Sequence, residues 1–182
     1  MKFALILLLA LRACAPLPDQ ALPDTAQTQI YKLINERLSY MPDVARYKYE
    51  RQLPVEDLSR EQQILNSIAP DAGAVGLAPN SVKPFFQAQF DAAKRIQANV
   101  MLELEAEKRQ AGEYRDLKTE VRPALDRLGK EILERLANCL RRACEFNKQE
   151  FELFSKVVDN PNLSESNRRD IFDGLRRVQL AH

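Results

Sequence analysis

Apolar residues recur at helical spacing along most of the chain. Ile30, Leu33, Ile34 and Leu38 fall three and four residues apart and form one stripe. Pro42 in "YMPDV" interrupts it, so a first helix over about 28–51 is expected to be kinked or broken there. "QLPVED" reads as a turn, because Pro54 holds Leu53 extended. A second helix is expected from about residue 56. It carries Leu58, Ile64, Leu65 and Ile68, is disturbed at Pro70 and Gly73, and ends at "GLAPNS". A third, capped by Ser81, carries Phe85, Phe86, Phe90, Ile96, Val100, Leu102 and Leu104 to about residue 109. A fourth covers about 119–146, and shorter helices over 148–158 and 164–178 flank the "NPNLSES" turn. No segment alternates with the period of a strand. The pattern predicts an all-α fold, a single-domain bundle of about six helices with antiparallel neighbours and short loops.

The first residues break this pattern. "MKFALILLLALRAC" opens on a lysine and continues as an apolar run from Phe3 to Leu11. Nine residues span about 13 Å as a helix, too short for a bilayer. The run stops at the proline-rich "PLPDQALPDT". This is the form of an export signal. Residues 1–15 are therefore expected to be a signal segment, 16–27 a linker, and 28–182 the folded domain. Within that domain, 28–122 is expected to bear the site and 123–182 to form a C-terminal helical part. Cleavage after Ala15 and cleavage before Cys14 both fit. The second leaves a lipid-modified cysteine that anchors the chain to a membrane without spanning it. The location expected is periplasmic or secreted.

Composition agrees with a helical domain: 45% hydrophobic, 29% charged and only five glycines in 182 residues. The formal net charge is +1, and without Lys2 and Arg12 of the signal it is −1. Nothing in this balance suggests a nucleic-acid partner, which would need a basic face or stripe. Cys139 and Cys144 remain beyond Cys14. Five residues apart on a straight helix they are out of disulfide reach, so a bond between them needs the helix to break near residues 141–143. Free or intermolecular thiols fit the sequence as well.

The densest chemistry lies around the first turn. Arg37 and Lys48 are eleven residues apart, only about 20° past three full helical turns, and so share a face if the helix continues. Asp57, Arg60 and Glu61 sit at i, i+3 and i+4 on the next helix, and the turn brings that face back toward Lys48. Taken singly, each of these residues reads as a solvated surface charge, and Asp57 as a favourable helix-start charge.

Together they resemble a known family. "NERLSYMPDVARYKYERQLPVEDLSREQQIL", then "VKPFFQAQFDAAKRIQ", then "VRPALDRL" are similar to the all-helical chorismate mutases, specifically their exported subclass. The resemblance rests on the Arg–Lys spacing of eleven, the Lys-x5-Pro turn and the Asp-x-x-Arg-Glu pattern. It implies that Arg37 and Arg122 bind substrate carboxylates. Lys48 would bind a carboxylate and donate to the ether oxygen, and Gln97 would donate to that oxygen from the opposite side. Glu61 would accept from the ring hydroxyl, with Arg60 fixing a carboxylate or a neighbouring acid and Asp57 close by. Ala93 departs from the family pattern, where a small hydroxyl or amide is common, and so leaves one substrate hydrogen bond in doubt. Ile64 stands where exported relatives can be polar. The resemblance further implies a homodimer whose C-terminal half completes the site within one chain.

Such a site has a clear chemical logic. Chorismate is a dianion, and it rearranges to prephenate in one pericyclic step that needs no nucleophile, metal or cofactor. The protein has to hold the compact conformer and stabilise charge on the ether oxygen. Two rival readings share the pattern. One is an isochorismate-pyruvate lyase on the same scaffold. The other is a non-enzymatic helical periplasmic lipoprotein with scattered surface charges.

Overall fold

A computed structural model describes residues 22–181. The expected signal segment, Cys14 and His182 lie outside the described residues. Thr25 accepts a hydrogen bond from the Thr28 amide at 3.1 Å, so α1 (Ala26–Ser39) starts two residues inside the expected linker. It ends at Tyr40, whose backbone stays right-handed helical, and Pro42 lies in the opening turn of α2 (Met41–Glu50). The expected break is thus a change of helix at a single residue. The Asp57 carboxylate accepts from the Arg60 amide at 3.0 Å and caps α3 (Leu58–Ala74). α3 continues through Pro70, which removes one amide from its ladder without ending it.

Ser81 does not cap the next helix. Its hydroxyl donates to the Ala78 carbonyl at 2.7 Å and accepts from the Gln179 amide at 3.1 Å, tying this turn to the C-terminal segment. α4 (Lys83–Ala106) opens instead at Val82 and Pro84. A π-helical turn, Leu117–Val121, leads directly into α5 (Arg122–Arg141), and α6 (Glu150–Val157) and α7 (Glu165–Arg176) follow. With α1 and α2 counted as one broken helix, these are the six helices expected. Among the described residues the only β-pairing is an isolated bridge between Leu77 and Leu180.

Four helix ends share one geometry. After α2, the Leu53 amide bonds the Lys48 carbonyl and the Gln52 amide bonds that of Tyr49. The same pair of bonds closes α3 around Gly76, α4 around Lys108 and α5 around Ala143, and all four central residues have positive φ. At α5 this motif folds Cys144 back over Cys139. Their Cα atoms stand 5.1 Å apart and their sulfurs are bonded. The helix breaks at residues 142–143, as a bond between these cysteines requires, and so α5 stops five residues short of the expected 146.

α4 is the spine. Its 24 residues, about 36 Å of helix, pack on α2 and α7 and also meet α1 and α3, while α1 packs on α5. Phe85 and Phe86 are fully buried and meet edge to face at 5.2 Å, so they are core residues. Gly174 brings α7 against α4: a Cβ there would lie 2.7 Å from the Phe85 Cα. Leu58 and Leu102, expected on core stripes, face solvent with 64% and 62% exposure.

Candidate active site

All seven side chains singled out in the sequence line one cavity of about 570 Å³, a size suited to a small molecule. α1 and α2 deliver Arg37 and Lys48 from their last turns. The α2–α3 turn and the start of α3 supply Asp57, Arg60 and Glu61. α4 supplies Gln97, and the π-helical turn sets Arg122 at the head of α5. That turn is itself fixed. The Asp116 carboxylate accepts from the amides of Lys118 and Thr119 at 2.9 and 2.7 Å and from the Thr119 hydroxyl at 2.8 Å. The cavity wall continues past Arg122 through Leu125, Asp126, Gly129 and Lys130, so the first turns of α5 belong to the site. No residue of α6 or α7 contributes to it.

Arg37 is 8% exposed. Its guanidinium donates to the Leu125 carbonyl at 3.1 Å and lies against the rings of Phe86 and Phe90, 5.8 and 5.9 Å from their centroids. Burial pushes its pKa down to about 10, and Asp126 opposes that fall. Arg37 is therefore cationic at neutral pH. Lys48 donates to the Val55 carbonyl at 2.6 Å. Burial lowers its pKa, the carboxylates of Asp57 and Glu61 raise it, and Arg122 lowers it further. Gln97 is 6% exposed; its amide nitrogen meets only the Met41 sulfur, at 3.6 Å, and its carbonyl oxygen has no partner among the described residues. A thioether is a weak acceptor, so this N–H is easily redirected.

Asp57 has a structural task as the α3 cap besides its place on the wall. Arg60 lies 3.8 Å from Asp126. Glu61 is held by Lys94 at 3.2 Å. Lys94, Gln89, Asp126 and Lys130 were not foreseen from the sequence. Lys94 sits three residues from Asp91 and reads as an ordinary helix-surface pair, while Gln89 is a common helix former whose burial only tertiary packing reveals. With them and Asp71, six cationic side chains face four acidic ones around the cavity, an excess of two positive charges.

Residues 24–98 match the family model described as chorismate mutase type II. The chain is 35% identical over 149 residues to the monofunctional chorismate mutase of Enterobacter agglomerans, covering 82% of this chain and 81% of that protein. The chain belongs to the chorismate mutase type II family. Within that family it is also 34% identical over 152 residues to the secreted chorismate mutase of Yersinia pestis, covering 84% of this chain and 81% of that one. The crystal structure of the Yersinia enzyme superposes with a TM-score of 0.75 over 84% of this chain and 97% of its own. The chorismate mutase of Burkholderia thailandensis, 25% identical, superposes with a TM-score of 0.68 over 84% of this chain and 99% of its own. The all-helical, single-domain fold is the fold of this family.

Proposed function

We propose that this chain is a chorismate mutase that converts chorismate to prephenate in the cavity walled by α1–α5. The observation that carries the reading is the convergence of Arg37, Lys48, Arg60 and Arg122 on one small-molecule-sized cavity with two excess positive charges, which matches a dianion. Arg37 and Arg122 take the two carboxylates, their planar forks suiting bidentate contact. Lys48 donates to the ether oxygen, and Gln97 gives up its weak sulfur contact to donate from the other side. Glu61, steadied by Lys94, accepts from the ring hydroxyl. Arg60 and Asp57 complete the charge frame. Fixed donors at the oxygen where charge builds, and clamped carboxylates that hold the compact conformer, lower the barrier of a unimolecular step.

The export pattern of residues 1–15 and the secreted relative support a protein that acts outside the cytoplasm. We further assign Cys14 as the residue that would carry a lipid anchor, and a homodimer as the assembled state.

The test is the purified full chain mixed with chorismate, following loss of its absorbance and identifying the product. Saturable formation of prephenate supports the reading. A folded helical protein that leaves chorismate intact overturns it. Turnover of isochorismate to pyruvate would then identify the lyase, and failure on both substrates would leave the non-enzymatic reading.

A further inference from the structure

The proposed reaction leaves one buried polar side chain without a task. Gln89 on α4 is 1% exposed and lines the cavity. Neither its amide nitrogen nor its carbonyl oxygen has a partner among the described residues. Buried amides are almost always hydrogen-bonded, so this one is built to meet a group that the cavity receives. Its place on the helix says which group. Residues 89, 93 and 97 follow each other four apart on one ridge of α4, and all three line the cavity. Gln97 closes one end of the ridge, and Ala93 in the middle offers only a methyl group. Gln89 is flanked on its helix by Phe86 and Phe90, the two rings against which the Arg37 guanidinium rests. It therefore stands at the Arg37 end of the cavity.

We propose that Gln89 is a substrate-binding residue whose amide N–H donates to the carboxylate bound by Arg37, supplying the hydrogen bond that Ala93 does not make. This rests on the dianion reading of the site. A carboxylate keeps its charge through the rearrangement, so the bond is made equally in the bound substrate and in the transition state. Its loss raises KM and spares kcat.

The experiment compares the full chain with Gln89→Leu, which removes the amide and keeps similar bulk. The expected result is a KM raised about tenfold to a hundredfold, the range for a hydrogen bond to a charged group, with kcat within about threefold. The melting temperature of the ligand-free protein should not fall, because an unsatisfied amide has been removed. Adding Ala93→Ser to Gln89→Leu should recover much of the loss, because residue 93 lines the cavity one turn along the same ridge and a hydroxyl there offers the carboxylate a replacement donor. Gln89→Met, unbranched like glutamine, repeats the test if leucine disturbs the packing. A KM within about twofold of wild type in a folded variant overturns the inference, as does a KM rise that Ala93→Ser leaves untouched. Turnover by wild type beside an unaffected variant sinks the Gln89 role alone, whereas a wild type inert toward chorismate sinks the reading of the site and this role with it.

Discussion

Lys48→Ala is the sharpest test of how this cavity works. The ammonium is held in place before any substrate arrives: it leaves the last turn of α2, reaches back across the turn, and is anchored on the Val55 carbonyl at 2.6 Å. A donor fixed in this way contributes to the transition state without reorganising. Removing one such donor costs roughly 10²–10³-fold in kcat, or about 2.7–4 kcal/mol. Stability should move the other way or hardly at all. The Lys48 pKa is lowered by burial, so its charged form is disfavoured in the folded chain relative to the unfolded one. At neutral pH the charged lysine therefore detracts from stability, and wild type should gain stability as pH rises through the window between the lowered folded value and the ordinary lysine value. The same sign fixes the activity profile. Only the ammonium is a charged donor, so wild-type kcat/KM should fall on the alkaline side with a midpoint below the ordinary lysine value. That limb should weaken in Lys48→Ala, leaving only the loss of the Arg37 charge at about 10. The assay is steady-state loss of chorismate absorbance from neutral to alkaline pH, with a thermal melt of each variant. A kcat loss under about tenfold, with the alkaline limb intact, would remove Lys48 from the mechanism.

Other positions give independent checks. Gln97→Glu replaces a pH-independent donor by one that donates only when protonated, so its activity should rise toward acid pH while wild type stays level; superimposable profiles would show that residue 97 does not touch the ether oxygen. Gly174→Ala would normally stabilise a helix interior, but its methyl would meet Phe85 backbone atoms at 2.7 and 3.1 Å, so a loss of about 1–3 kcal/mol in chemical denaturation is expected. A stabilised variant would mean that α7 can move off α4 freely. Reducing the Cys139–Cys144 bond, or Cys144→Ser, should lower stability by about 2 kcal/mol, the chain-entropy value for so short a loop, and identical melts with and without reductant would refute that.

Five of the cavity residues carry a periodic signal in the sequence. Arg37 and Lys48, Asp57, Arg60 and Glu61 fall at helical spacing around one turn, which alone reads as solvated charge and needs the family resemblance to single them out; the α1–α2 junction keeps that spacing because Tyr40 stays helical. The ends of helices were harder to read, for a specific reason. Four of them close in the same left-handed turn, yet only Gly76 among the central residues is a glycine; Gln52, Lys108 and Ala143 carry no mark of their conformation. This is why the fourth helix was expected to overrun Ala143, and why the pairing of Cys139 with Cys144 stayed open until the turn was seen. Ser81 has the look of a cap in the sequence, but its hydroxyl serves a contact with Gln179, 98 residues away. Gln89 and Lys94 were missed because an interior glutamine and a lysine near an aspartate look the same on a solvent-facing helix as on a cavity wall.

The cavity wall is drawn from α1–α5 of one and the same chain. A site of that kind has no stake in mass action. Where a pocket straddles two protomers, dilution dismantles the catalyst, and its rate per chain falls with concentration. Here all seven side chains given a role in the reaction travel with one chain, so turnover per molecule should stay constant from micromolar to nanomolar protein.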